Sequence, residues 1–568
     1  VSPRDPAVPA EVPVLVVGAG PSGAMTSLLL EQQGVATALI ERNASPQKAP
    51  AAHVVNARTF EICRAAGVDM DALARHEQAP EEAAFAYFVT KLGGRVLGRL
   101  PFEQQGDDQR AVTPHPLRNL SQNHFEPALL EALARQAGRA PAWRHRWESA
   151  TQDGDSVVSQ VRDLASDAVH EVRSRWLVAA DGAGSRVRKW LGIEPVGPAA
   201  IRSFVMIHLH AKLRGIPEVP PGVLFFAVHP DTQGGAFVIH DLDREAVYMH
   251  PFEPEQESLA DYDVARCAEI VRRGLEQPDL DFSVETVSTW TMTAQVAERY
   301  REGRVFLVGD AAHRFPPTGG LGLNSGVQDA HNLAWKIAAV EHGWGPAAWL
   351  DSYETERRPV AQINADQSLR NALRLIEVSR ALGQLEPEGD ALARMEATLA
   401  DPDGRARVEA AVAHQAEHFD MPGLQLGFWY PDGLVVRGAD ERPPGDGEVR
   451  RFVPSGCPGA RLPHAWVGEG ESESLLDRVP LDRFWLLAAP EGAAWVAAAA
   501  EIEGPPCAAQ RIEDGALADL DAWLASAGIG RDGALLVRPD QHVAWRAPGA
   551  VADPAAALGA AFAELRRR

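Results

Sequence analysis

The chain has 568 residues, is 45% hydrophobic and 23% charged, and carries a formal net charge of −23. That length exceeds what one hydrophobic core supports and predicts two or three domains, while the acidity, with no local basic patch, excludes nucleic acid and anionic membrane surfaces as partners. The four cysteines, Cys63, Cys267, Cys457 and Cys507, stand far apart without a CxxC, so neither a disulfide framework nor a metal site is expected.

No stretch reaches membrane-spanning length, and the first apolar run is too short and too glycine-punctuated for a signal peptide, which predicts a cytoplasmic address. After a proline-rich leader, Val12–Val17 reads as a strand, followed by Gly18-x-Gly20-x-x-Gly23 and a helix from about Ser22 to Gln32. A second apolar run, Val35–Ile40, ends in Glu41. This βαβ opening sets a phosphate-binding turn on a helix N-terminus, with an acid roughly 20 residues on to accept from a ribose diol. The motif by itself does not separate NAD from FAD.

Thr59–Ala66 reads as a helix closed by Gly67, and Gln122 precedes an amphipathic helix carrying Glu126, Leu129, Leu130 and Leu133. Tyr87–Val112 is polar and glycine-bearing and predicts a second layer. Residues 174–192 form another buried strand ending in Asp181-Gly182, with Ser185 and Arg188 opening a helix. The carboxylate and guanidinium there either bridge two cofactors or cap the helix. From about Ile201 to Thr293 the pattern alternates with turn signals, which predicts antiparallel hairpins and a substrate-binding sheet.

Residues 304–336 carry the strongest signal: a buried strand, Val305–Val308, then Gly309-Asp310, the stiff pair Pro316-Pro317, and Gly319, Gly320, Gly322 and Gly326 before a helix expected near Asn324. Uncovered amides at such a helix start suit an anionic or electron-rich group. A helical region runs on to about Gln415, and the last 140 or so residues read as a small α/β module.

Three motifs in this order, GAGPSG with Glu41, the DG segment at Asp181 and GDAAHRFPP, resemble the single-component FAD-dependent aromatic hydroxylases, the p-hydroxybenzoate hydroxylase group. RTFEICRAAG, QNHFEP, STWTMT, GGLGLNSGVQDAHNLAWK and ALLVRPDQHVAWR are similar to its phenol hydroxylase branch, that of dichlorophenol hydroxylase and 2-hydroxybiphenyl monooxygenase. The resemblance implies an α/β fold: a discontinuous Rossmann-like FAD-binding domain (1–85, 113–195, 296–375), an inserted antiparallel-sheet substrate domain (86–112, 196–295), a helical connection (376–425) and a thioredoxin-like domain without CxxC (426–568), an element of packing or homo-oligomer assembly.

It also implies FAD as cofactor, NADPH or NADH and O2 as co-substrates, and a small aromatic substrate hydroxylated through a flavin C4a-hydroperoxide. Gly18, Gly20 and Gly23 would hold the pyrophosphate, Glu41 the adenosine ribose, and Gln122 the phosphates or flavin edge. Gly309 and Asp310 would meet the ribityl or pyrophosphate region, and Pro317, Gly322 and the amides near Leu323 and Asn324 the flavin ring. Asp181 and Arg188 are implicated in binding both FAD and NAD(P)H. The expected catalytic set is His53 as base, Pro316 shaping the floor and Trp290 lining the pocket; His313 is expected to be structural or near the flavin.

Two departures stand out. Ala51 replaces an arginine of the family, for which Arg42 or Arg58 would substitute, and Asn119 stands where close relatives carry an acid near the substrate. The remaining alternatives are a hydroxylase tailoring a larger polycyclic or heteroaromatic natural product, and a non-catalytic flavin-binding scaffold.

Overall fold

Buried apolar runs joined by crossovers can satisfy their backbone only side by side, and here they build a parallel sheet. The computed structural model describes residues 8–216, 218–277, 279–386 and 389–568. Its first sheet aligns five parallel strands in the order Val305–Leu307, Val169–Ala179, Glu11–Val17, Thr37–Glu41 and Ala142–Trp143. Helices Pro21–Gln32, Gln122–Ala137 and Leu321–Glu341 pack with it around a single core.

The last of these helices is the spine of the molecule. It starts at Leu321 rather than near Asn324, because Gly320 takes the left-handed conformation (φ 61°) and turns the chain into the helix one turn earlier. Gly326 lets the helix press against the first one: a β-carbon there would lie 2.2 Å from Ser22 Oγ and 3.1 Å from Gly309 Cα. Its polar side chains are buried and paired. Asp329 accepts from Gly309 N (3.1 Å), His313 Nε2 (2.7 Å) and Arg357 Nε (2.8 Å). Burial pushes that carboxyl up, but His313 and Arg357 outweigh it and hold its pKa down.

The second sheet has seven strands, in the order Phe282–Met292, Arg202–Ala211, Glu245–Phe252, Ala236–Asp241, Leu224–Ala227, Phe85–Val89 and Val96–Pro101. The expected hairpins are present, and the two distal strands, Phe85–Val89 and Val96–Pro101, overlap the expected second layer at Tyr87–Val112. One pair, Leu224–Ala227 with Phe85–Val89, is parallel; these strands are joined by a long excursion through the first domain, so no tight turn imposes the opposite direction. Helix Val264–Gly274 covers one face through Cys267, Ile270 and Val271. The opposite face turns toward the first domain. Helices between Ile376 and Ala413 close the sheet's edge, with Val412 packed on Gly98.

The C-terminal module orders its strands Cys507–Arg511, Phe484–Ala488, Ala534–Val537 and Val543–Ala547, the first pair parallel and the others antiparallel, in a thioredoxin-like arrangement. A final helix, Pro554–Arg567, goes beyond the sequence reading; Leu558, Ala561, Phe562 and Leu565 supply its buried face. Trp335, Ala339 and Trp349 of the first domain enter the module's own core beside Phe484 and Phe562. A buried charge cluster completes the joint. Glu356 accepts from both Arg538 Nη atoms (2.7 Å each), Lys336 Nζ (2.6 Å), Asn332 Nδ2 (2.6 Å) and Leu434 N (2.8 Å). These cations overcome burial and take its pKa down to about 2. Arg538→Met strands Glu356 and Asp540 without their shared cation and should lower unfolding stability by about 3–5 kcal/mol, read from equilibrium denaturant titration.

Candidate active site

Two helix N-termini and two strand ends converge on one cleft. Helix Pro21–Gln32 is capped by Gly20 and helix Leu321–Glu341 by Gly320, neither with a side-chain cap. Their first-turn amides therefore remain available as donors, with the positive end of each dipole behind them. Three glycines in the first motif have distinct reasons. A β-carbon on Gly18 (φ 103°) would lie 2.2 Å from Ala180 O, and one on Gly23 1.9 Å from Gly18 O, so both are fixed by close backbone packing. Gly20 has nothing within 4 Å of that position, and neither has Gly322. These two open positions let a bulky group approach the backbone.

Glu41 ends its strand beside the first turn: Oε2 accepts from Ala19 N (3.0 Å) and Oε1 from Asn43 N (2.9 Å), leaving further lone pairs for hydroxyl donors. Arg42 beside it is exposed. Asp310 shows surface to the cleft yet is ringed by protein, and that enclosure raises its pKa against the opposing charges of His313 and Arg314. Gly309 precedes it in the left-handed region (φ 58°), packed on Ser22. An anionic pyrophosphate, a ribose diol and an electron-rich ring find complementary groups here, so the residues fit FAD.

Other expected contact residues have partners within the protein. Asp181 Oδ2 accepts from Arg186 N (2.7 Å) and Val187 N (3.2 Å), capping the helix Arg186–Trp190, while its buried Oδ1 has no partner among the described residues. Arg188 is buried and donates to Ala311 O (2.9 Å) and Ala183 O (3.2 Å), joining the DG turn to the GDA turn. Gln122 anchors its helix by N–H to Ala52 O (2.7 Å) and donates from Nε2 to Glu126 Oε2 (3.3 Å). With the helix starting at Leu321, the free amides are those of Leu321, Gly322 and Leu323; that of Asn324 already lies inside the helix.

The Asn324 side chain is instead a clasp. Its Oδ1 accepts from Asn56 N (2.9 Å) and Thr59 Oγ1 (2.7 Å), and its Nδ2 donates to Val54 O (2.9 Å) and Gly320 O (2.6 Å). This fixes the segment after His53 to the cofactor-side helix. Arg58 does not stand in for the arginine missing at Ala51: its guanidinium is 1% exposed and held by Glu61 (3.0 Å), Gln541 Oε1 (2.5 Å) and Asp540 O (2.8 Å).

His53 directly precedes this clasped segment. The short ladder pairing Val54 with Asn119 brings the two side chains together, with His53 Nδ1 2.6 Å from Asn119 Oδ1. Asn119 Nδ2 donates to Ile239 O (3.2 Å) and to Gln78 Oε1. Because Ile239 O can only accept, the amide nitrogen must face it and the amide oxygen must face His53. His53 is thereby the Nδ1–H tautomer, with the Nε2 lone pair free of any protein partner among the described residues. Burial lowers its pKa, offset in part by the Asn119 bond. Phe102 stacks beside the ring at 6.3 Å and His240 meets it edge-on at 5.6 Å.

Pro316 is buried and Pro317 exposed at the turn into the helix. Met421 packs on Gly319 of that turn, its N–H donated to Glu103 (3.3 Å), whose carboxyl burial pushes up to about 8. His313 is buried against Asp329 and Phe315, away from the cleft wall. Trp290 stacks on Phe204 at 6.1 Å. Trp290 and Phe204 share a row of the sheet, whereas His240 lies near the row of Leu209 and Ala246, on another strand. Standard strand spacings put Trp290 about 20 Å from His240, so the structure does not bring it to His53. Sequence reasoning missed His240, whose signal is a β-bulge: the register skips from Ile239 to Asp241 and re-aims the residue between.

Gly23→Val forces a side chain into Gly18 O and should yield protein purified without bound flavin; Gly322→Ala, where space is open, should keep it. Flavin absorbance per polypeptide reads both.

The comparisons with known proteins agree with this geometry. An FAD binding domain family matches residues 11–368, and an aromatic-ring hydroxylase C-terminal family matches 455–565. Tetracenomycin B2 monooxygenase-dioxygenase of Streptomyces olivaceus is 33% identical over 98% of this chain and 99% of its own. The 2,4-dichlorophenol 6-monooxygenase of Delftia acidovorans is 31% identical over 94% and 95%. Among solved structures, the flavin-dependent monooxygenase PieE with FAD and substrate superposes with a TM-score of 0.89 at 33% identity, covering 99% of this chain and 100% of that one. Aklavinone-11 hydroxylase with FAD and aklavinone gives 0.81 at 32%, covering 98% and 99%. Family, fold and cleft converge, and set aside the non-catalytic scaffold: the chain belongs to the FAD-dependent aromatic hydroxylases, monooxygenases that use O2 and a reduced nicotinamide.

Proposed function

We propose that the enzyme hydroxylates an acidic phenolic ring of a polycyclic aromatic substrate, with His53 taking the phenolic proton. The observation that carries this reading is the His53–Asn119 bond, which holds a proton on Nδ1, so that the neutral imidazole keeps its lone pair on Nε2. Burial holds the His53 imidazole below its ordinary range, while an ordinary phenol ionises at about 10, so the proton moves uphill from such a phenol to this base. The acceptor at position 119 is an amide, so no carboxylate strengthens that base. A hydroxyl conjugated to a quinone or ketone in a fused ring system is more acidic and lessens the cost, and hydroxylases of tetracenomycin and aklavinone are among the whole-length relatives. The relatives that act on 2,4-dichlorophenol favour a second reading, since ring chlorines also acidify a phenol.

Gly18, Gly20, Gly23 and Glu41 are assigned to the dinucleotide end of FAD, and Gly309, Asp310, Pro317, Gly322 and Leu323 to its flavin end. FAD, once bound and reduced, supplies the activated oxygen that enters the ring. The protein's own part is to hold the ring against the His53 wall, to take its proton at Nε2 and to exclude water beneath Phe102 and Met421.

Products formed in air with NADH or NADPH test this. Hydroxylation of 1,8-dihydroxyanthraquinone with none of phenol is expected; preference for phenol contradicts the proposal, and turnover of 2,4-dichlorophenol alone selects the second reading. His53→Ala should retain FAD and lose about 100-fold or more in hydroxylation rate. In the wild type the base is lost as pH falls through the lowered His53 pKa. Asn119→Asp places a carboxylate on Nδ1, raises that pKa, and should move the acidic limb of the pH–rate profile to higher pH.

A further inference from the structure

His53 takes a proton into a wall from which it must leave before the next turnover, and the sheet offers an exit. His240 meets the His53 ring edge-on at 5.6 Å, placed there by the bulge between Ile239 and Asp241. It is not an ordinary satisfied core histidine: its Nδ1 is buried and has no hydrogen-bond partner among the described residues. On the same sheet face, on the next two strands, lie Glu245 and His208, joined by an Nε2–Oε1 contact of 3.0 Å. His208 Nδ1 is likewise buried and unpartnered among the described residues. Facing side chains of adjacent strands have β-carbons about 5 Å apart, and diagonal ones about 7–8 Å, within reach of two imidazoles or of one bridging water. Beyond His208, His210 meets it edge-on at 5.8 Å and is exposed. From the neighbouring helix, half-buried His124 faces the same cluster and stacks on exposed His76 at 4.2 Å. The titratable side chains coupled to His240 are those of His53, His208 and His124.

We propose that His240 and the His208–Glu245 pair carry the substrate's proton from His53 to solvent. The step breaks the phenolic O–H bond, leaves its electron pair on oxygen and places the proton on His53 Nε2. It then passes to His240, to the Glu245–His208 pair and out past His210, returning each ring to its neutral form. Nothing is oxidised or reduced. The inference rests on the reading of His53 as base but not on the size of the substrate, and the test separates the two.

Holoenzyme is mixed with 1,8-dihydroxyanthraquinone or with 4-nitrophenol at a pH below the free dye's pKa, and the phenolate absorption band is followed by stopped flow, without nicotinamide. Wild-type enzyme should develop the band on binding. His240→Phe should bind the dye with unchanged affinity and develop the band about tenfold more slowly or worse, and His240→Ala should regain speed on addition of free imidazole, which a purely structural role does not allow. Glu245→Gln should slow the band with His240 intact. Ionisation at wild-type speed in His240→Phe and His240→Ala overturns the path, as does wild-type enzyme that ionises neither dye. Ionisation of 4-nitrophenol alone leaves the path standing and contradicts the polycyclic substrate.

Discussion

The close approach of two helices at Ser22, Gly309 and Gly326 is the constraint on which the rest depends. A single β-carbon at Gly326 would come within 2.2 Å of Ser22 Oγ, so only glycine permits the spacing that brings two uncapped helix N-termini to one cleft. Everything else is strung along the second helix. Its first turn has no side-chain cap and Asn324 clasps the His53 segment. Asp329 then fixes the Gly309 turn, and Asn332 and Lys336 enter the charge cluster shared with Arg538. Trp335 ends in the core of the C-terminal module. The module thus bears on the site through packed, paired groups: Gln541 and Asp540 hold Arg58, in the first turn of the helix that follows the His53 segment.

This arrangement gives a domain with no redox motif a structural hold on the first domain. The fully buried arginines Arg58, Arg461 and Arg538 each have carboxylate or carbonyl partners supplied from more than one segment, and Arg357 pairs with Asp329 and with the Tyr430 hydroxyl. Desolvating such groups is costly unless every partner is in place. The cluster therefore makes the relative position of flavin domain and module nearly all-or-none, and transmits that rigidity to the segment bearing His53.

Much of the fold was legible because its signals are local. GAGPSG, the strand ends at Glu41, Asp181 and Asp310, and the alternation after Ile201 each follow from steric and hydrogen-bonding rules acting over a few residues. What escaped depends on contacts distant in sequence. Arg58 looked free to reach a cofactor, and only its pairing 483 residues away with Gln541 shows otherwise. Trp290 looked like a pocket residue, but sheet order sets it at the far end from His240. The helix start near Asn324 was misplaced because nothing local marks which glycine of the run adopts the left-handed turn. His240 could not be singled out, since a bulge is a property of two strands in register. His53 was nominated through resemblance alone; its tautomer required Ile239 O, on a strand of the other domain.

That tautomer is the claim to measure first. Nitrogen-15 NMR of the holoenzyme with labelled histidine, assigned by comparison with His53→Ala, reports which ring nitrogen bears the proton. A protonated Nδ1 and an unprotonated Nε2 are expected at His53 at neutral pH; a proton resident on Nε2 would leave it no lone pair for the substrate and contradict the proposed role as base.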